Sequence, residues 1–126
     1  MNKIKILHIT AHLGGGVGSV LLNYLAKAGN NSAFEHRVLS LEYANEKAKA
    51  ASRETGFFLA DKMSENLPGL LAAVSRADVV LMHWWNHPLL YALLVRESLP
   101  SARIIFWSHI SGFSAPYVFN EPALCY

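Results

Sequence analysis

Apolar residues in the first part of the chain follow two rhythms. Ile4, Ile6, Leu7 and Ile9 form a dense run rich in β-branched side chains, whereas Val20, Leu21, Tyr24, Leu25 and Ala28 recur at i, i+4 spacing. The first pattern predicts a buried strand over residues 4–10, the second the inner face of a helix over residues 19–28, closed by Gly29-Asn30-Asn31. The alternation then repeats. Val38, Leu39 and Leu41 predict a second strand over 35–42, and the Ala-rich, charged stretch 45–54 an exposed helix with Asn45 as N-cap. A short third strand is expected over 57–60 and a third helix over 67–76, with Pro68 in its first turn. Val79-Val80-Leu81-Met82 is the unbroken run of a strand covered on both faces, so residues 78–84 are expected at the centre of a sheet. A fourth helix over 88–98, stopped by Pro100, and a fifth strand over 103–108 complete the series.

This order predicts an α/β fold: a Rossmann-like, doubly wound parallel sheet of about five strands, with helices on both faces and right-handed crossovers. A length of 126 residues suits one domain, 1–126. Glu121 to Tyr126, with Pro122 near its start, reads as the first turn of a further helix, so the chain is expected to be part of a longer protein. With 52% hydrophobic and 16% charged residues a disordered chain is excluded. A net charge of +2, with Lys and Arg scattered, argues against a nucleic-acid surface. The single cysteine, Cys125, has no partner for an internal disulfide, and the first residues lack a secretory signal, which points to a cytoplasmic protein. The apolar stretch 89–95 is far shorter than the ~20 residues needed to span a bilayer.

Ligands of an open parallel sheet bind beyond the carboxyl ends of its strands, near the point where strand order reverses. That rule gathers three segments: His12 with Gly14-Gly15-Gly16-Val17-Gly18, then His83 to His87, then Ser108 to Gly112. Glycines at a strand-to-helix turn let the backbone approach an anion, and the helix start offers it unpaired N–H groups. Gly14-x-Gly16-x-x-Ser19 nearly matches the dinucleotide fingerprint, and Glu42 stands where an acid meets a ribose. Against that, Ala11, His12 and Leu13 separate strand from glycine, which lengthens the turn. A connection that binds nothing is the competing reading.

His83, Trp84, Trp85, Asn86 and His87 form the densest polar and aromatic cluster, in which Trp faces suit sugar rings or bases and Asn and His suit hydroxyls. Trp84 reads more readily as a cap on the core than as a rim residue, and Trp107, inside the fifth strand, still more readily as core. His109 either serves a ligand as a neutral imidazole or only bonds its own loop, and His8 and His36 read as core or edge residues. No metal site is expected: His83 and His87 do not share a helical face, and carboxylate or thiol companions are scarce.

Three segments, taken in order, resemble the N-terminal domain of GT-B fold glycosyltransferases, in particular the retaining family 4. They are Lys5-Ile6-Leu7-His8-Ile9 leading into Gly14 to Ser19, Ala77-Asp78-Val79-Val80-Leu81-Met82-His83-Trp84, and Ile104-Ile105-Phe106-Trp107-Ser108-His109. The resemblance implies transfer of a sugar from a nucleotide-sugar donor to a hydroxylated carbohydrate or lipid-linked acceptor, in polysaccharide or glycoconjugate synthesis. It implies that Gly14, Gly15, Gly16 and Gly18 face the donor diphosphate, that His109 lies by the donor sugar as the catalytic candidate, and that His12, His83, Trp85 and Asn86 shape the acceptor side. No metal and no cofactor beyond the donor are implied. In the family a glycine or an acid follows the histidine directly, whereas here Ile110-Ser111 precede Gly112. A second, nucleotide-gripping domain is implied as partner and is absent from these residues, so the 126-residue chain alone is expected to be inactive. Peripheral association with the inner face of a membrane and self-association through an exposed apolar face accompany this reading. Two other readings stay open: an NAD(P)-dependent oxidoreductase, kept alive by Glu42, and a non-catalytic module that binds a nucleotide or a partner domain.

Overall fold

The computed structural model describes residues 3–28, 33–85, 87–96 and 99–109. The expected closure at Gly29-Asn30-Asn31, the Asn86 position, the Ile110 to Gly112 segment and the helix start at Glu121 lie outside these residues. The elements are β1 (Ile4–Thr10), α1 (Gly15–Ala28), β2 (Phe34–Ser40), α2 (Glu46–Thr55), β3 (Phe58–Ala60), a 3-10 turn (Met63–Glu65), α3 (Leu67–Arg76), β4 (Val79–Trp84), α4 (Pro88–Arg96) and β5 (Ile104–Ser108). All pairings are parallel and the strand order is β3-β2-β1-β4-β5. The protein is a Rossmann-like, doubly wound α/β sheet, as the alternation predicts.

Each face of the sheet has its own core. Leu7, Ile9, Val80, Met82 and Trp84 pack beneath Leu70 and Val74 of α3 and Leu90, Leu93 and Leu94 of α4. On the other face Val38 meets Leu21 and Leu25 of α1 and Ala48 of α2. Trp84 has no exposed surface and its ring stands edge-on to Tyr91 and Phe106, so it belongs to the core. Among the described residues no helix is long and apolar enough to cross a membrane.

Local chemistry sets the ends of the helices. Asn45 caps α2, its side chain accepting the Ala48 N–H at 2.9 Å, and Gly56 ends the helix in the left-handed region at φ 88°. Asn66 caps α3, with Pro68 in its first turn. The main departure from the periodicity is at α1, which begins at Gly15 and not near residue 19. Glycine has low helix propensity, so a pattern search places Gly15 to Gly18 in a loop; tertiary packing overrides it. Gly18 lies against the turn before it, where a Cβ would stand 3.3 Å from the carbonyl carbon of Leu13. Backbone cannot yield there as a side-chain tip does. Gly18→Ala is therefore expected to destabilise the fold by about 1–3 kcal/mol, read from urea unfolding; an unchanged midpoint would contradict this close approach.

Candidate functional site

Strand order reverses between β1 and β4, so the crevice favoured for ligands opens above their carboxyl ends. The chain extends the sheet there by turn-to-turn bonds. Leu41 N–H donates to Thr10 O, Glu42 N–H to Ala11 O, Leu13 N–H to Tyr43 O and Asn45 N–H to Leu13 O. These bonds zip the β1–α1 turn to the β2–α2 turn, and they set the start of α1 beside the start of α2.

Between the two helix starts lies a cavity of about 180 Å³, lined by Leu13, Gly14, Gly15, Gly16, Gly18, Ser19, Leu22, Asn45 and Lys47. All of the glycines singled out in the sequence meet here. Their reasons differ. Gly14 passes under Tyr43, whose hydroxyl would stand 2.7 Å from an added Cβ; Gly15 takes φ 66°; Gly18 touches Leu13. Gly16 has ordinary φ and nothing within 4 Å of an added Cβ, so nothing in the fold requires glycine there. Lys47, missed by pattern reading, makes no ion pair among the described residues, and Glu46 points its charge to Lys49 at 4.0 Å. The first turns of two helices and a lysine thus line the cavity, an environment that favours an anion.

A second cluster stands over the β1/β4 crevice. His12 stacks on Tyr43 with centroids 5.2 Å apart and planes 5° from parallel, and meets Trp85 edge-on at 5.2 Å. Its Nδ1 is enclosed and has no hydrogen-bond partner. His87 lies against His12 and Trp85 and bonds Glu42 through Nε2 at 2.9 Å. Glu42, which keeps the dinucleotide reading open in the sequence, is therefore engaged by an imidazole.

The histidines of the strands form a third group, which reading them one at a time does not reveal. His36 Nδ1 lies 3.0 Å from His8 Nε2, His8 Nδ1 3.0 Å from His83 Nε2, and His83 Nδ1 3.1 Å from His109 Nε2. Register explains it. His8 pairs with Val38, two residues beyond His36; His83 lies two beyond Leu81, the partner of His8; His109 lies two beyond Trp107, the partner of His83. An offset of two keeps every ring on one face while the row climbs across four strands toward the carboxyl edge. Tyr24 of α1 stands edge-on to His36 and to Trp107, closing this face over the row.

Of the positions picked from the sequence, the structure groups Gly14, Gly15, Gly16 and Gly18 in one cavity and His12 with Trp85 over the crevice. His83 is not on the rim: it is completely enclosed, and both its ring nitrogens are bonded. It reaches the rim only through His109, whose backbone N–H donates to Trp84 O. Among the described residues no group of three or more His, Cys, Asp or Glu is arranged to hold a metal ion. Comparison with protein-family models, with curated proteins and with solved structures finds no significant match.

Burial holds the row neutral. Desolvation, with smaller contributions from neighbouring imidazoles, lowers His8 and His83 from the ordinary 6.5 to about 3, and desolvation lowers His36 and His109 as well. Between those values the unfolded chain binds more protons than the folded one. Stability is thus fully present above about pH 6.5 and lost as pH falls toward 3, by on the order of 1.4 kcal/mol per pH unit for each of His8 and His83. Urea unfolding is expected to show a much lower midpoint at about pH 5 than at about pH 7.5, and a flatter profile in the His8→Leu/His83→Leu double variant. Equal midpoints at the two pH values would refute the neutral, buried state of these rings.

Proposed function

We propose that this domain is the acceptor-side half of a retaining glycosyltransferase of GT-B type, similar to family 4, which transfers a sugar from a nucleotide-sugar donor to a hydroxylated acceptor. The observation that carries the reading is the cavity between the starts of α1 and α2. There Gly16, which the fold leaves unexplained, lines the same cavity as Lys47 and the first residues of both helices. Such a site suits a diphosphate. Beside it, His12, Tyr43 and Trp85 offer flat aromatic surface, the feature that recognises a sugar or another polyhydroxylated group. His109 stands at the same edge, at the end of β5.

On this reading the cavity forms one wall of a cleft, and a second α/β domain grips the nucleotide. The isolated chain then binds nucleotide diphosphates weakly, with Kd around 1 mM or higher, equivalent to about −4 kcal/mol. A two-dimensional NMR titration with UDP, GDP and ADP is expected to shift the amides of residues 14–19 and 45–48. Lys47→Ala should weaken that binding about fivefold or more. Gly16→Ala should weaken it too while raising stability by up to about 1 kcal/mol, because the side chain meets nothing in the folded domain. Micromolar binding of NADH would replace this reading with the oxidoreductase one. Nucleotide-induced shifts confined to other surfaces would remove the cavity from it.

A further inference from the structure

The bonds of the histidine row run in one sense. Each joins Nδ1 of one ring to Nε2 of the next, in the order His36, His8, His83, His109. A neutral imidazole carries one N–H and one bare nitrogen, and every contact needs one of each. If His8 holds its proton on Nε2, it donates to His36 Nδ1. Its bare Nδ1 then requires His83 to donate from Nε2, and His83 Nδ1 in turn requires Nε2–H on His109. Within the row each ring therefore dictates the tautomer of its neighbour. Two uniform states satisfy all three contacts, one with every proton on Nε2 and one with every proton on Nδ1. A mixed row sets two hydrogens or two lone pairs face to face.

Only the ends of the row have a ring nitrogen left over. At one end it is His36 Nε2, which is without a partner; at the other it is Nδ1 of His109, which none of the described residues bonds. Exposure follows the same order. His8 and His83 are sealed at 0%, His36 keeps 6%, and His109 is half-buried. The orphan nitrogen of His36 costs free energy in either state, so it does little to choose between them. Neutral histidine in water carries its proton mostly on Nε2, and that preference acts on four rings at once.

We propose that His36, His8, His83 and His109 form a tautomer-locked row that rests with its protons on Nε2 and presents a bare Nδ1 of His109 as proton acceptor at the rim. The step conserves protons. A hydroxyl at the rim gives its proton to His109 Nδ1, while the Nε2–H of His109 stays bonded to His83 Nδ1. The positive charge stays on the half-buried ring, no sealed ring is charged, and the proton later leaves His109 Nδ1 for water at the rim. The enclosed Nε2 of His36 takes no part. His109 is the catalytic residue, and the other three are positioning residues that hold its Nδ1 bare. Only the identity of the hydroxyl rests on the glycosyltransferase reading, in which the acceptor must lose a proton.

The test needs no substrate, so its failure is separate from failure of that reading. In the intact chain labelled with ¹⁵N-histidine, ring-nitrogen spectra are expected to show Nε2–H for all four residues. Couplings across the N–H···N bonds should link them in the order 36, 8, 83, 109. On acidification, with the fold monitored by backbone amides, His109 should gain its proton at Nδ1 while keeping Nε2–H. Tyr24 is the titratable group of α1 in ring contact with the row. In His8→Leu, His36 should populate both tautomers while His83 and His109 keep theirs in common. A mixed set of tautomers, a uniform Nδ1–H row, or a proton gained first by His8 or His83 in the unmodified chain would each overturn the lock. The spectra of the unmodified chain decide the matter even if the variant does not fold.

Discussion

Register on either side of β1 is the constraint from which the rest of this domain follows. β1 is paired along its whole length with β2 and over residues 6–9 with β4, and residues 7–10 are enclosed on both faces. A slip of one residue against either neighbour would turn every side chain to the opposite face. Here it would drive His8 among the leucines under α3 and α4, and would leave Leu7 and Ile9 against a row of imidazoles. The same register aligns the turns after β1 and β2, so the Leu13 and Tyr43 backbone bonds form and the two helix starts converge. The core, the glycine cavity and the histidine row are three consequences of one alignment.

The glycine turn shows how fold and site share a motif. Gly18 permits α1 to approach the turn and Gly15 supplies a backbone conformation costly to other residues, so both are accounted for by folding alone. Gly14 gives room to Tyr43, which in turn forms the platform under His12. Gly16 alone lines the cavity with no such reason, in the first turn of α1, where glycine still costs backbone entropy relative to alanine. Its backbone is left bare toward the cavity, where the fold itself places nothing against it.

The periodicity of apolar residues was enough to place every strand and helix among the described residues, because each element buries one stripe or face and repeats accordingly. It misplaced the start of α1, where local propensity and tertiary packing disagree, and it missed the 3-10 turn at Met63–Glu65, too short to have a period. Asn45 and Pro68 were legible as helix starts since capping is a local event. The site was legible only in part. Glycines and aromatics at strand ends announce a ligand edge, but Lys47 enters through the alignment of two turns. The row of histidines depends on the register of four strands, which no single stretch of sequence contains. His8 and His36, read separately, are core residues; read across the sheet with His83 and His109, they are one object.

A row of four hydrogen-bonded imidazoles is a costly way to fill the space beneath α1. Leucine or phenylalanine at these positions would bury apolar surface without desolvating ring nitrogens, and replacing a buried polar network with well-packed apolar groups is commonly neutral or stabilising. The row also leaves His36 Nε2 unsatisfied, a group whose burial costs about 1–3 kcal/mol. Nor does the register need it, since the alternation of apolar residues on the opposite face already specifies the pairing. What apolar side chains cannot do is tie the tautomer of the ring at the carboxyl edge to the rings enclosed behind it. The row runs toward the edge where the glycine cavity and the aromatic cluster open, and it ends at a half-buried ring. Its direction, more than its composition, ties it to the chemistry of that edge.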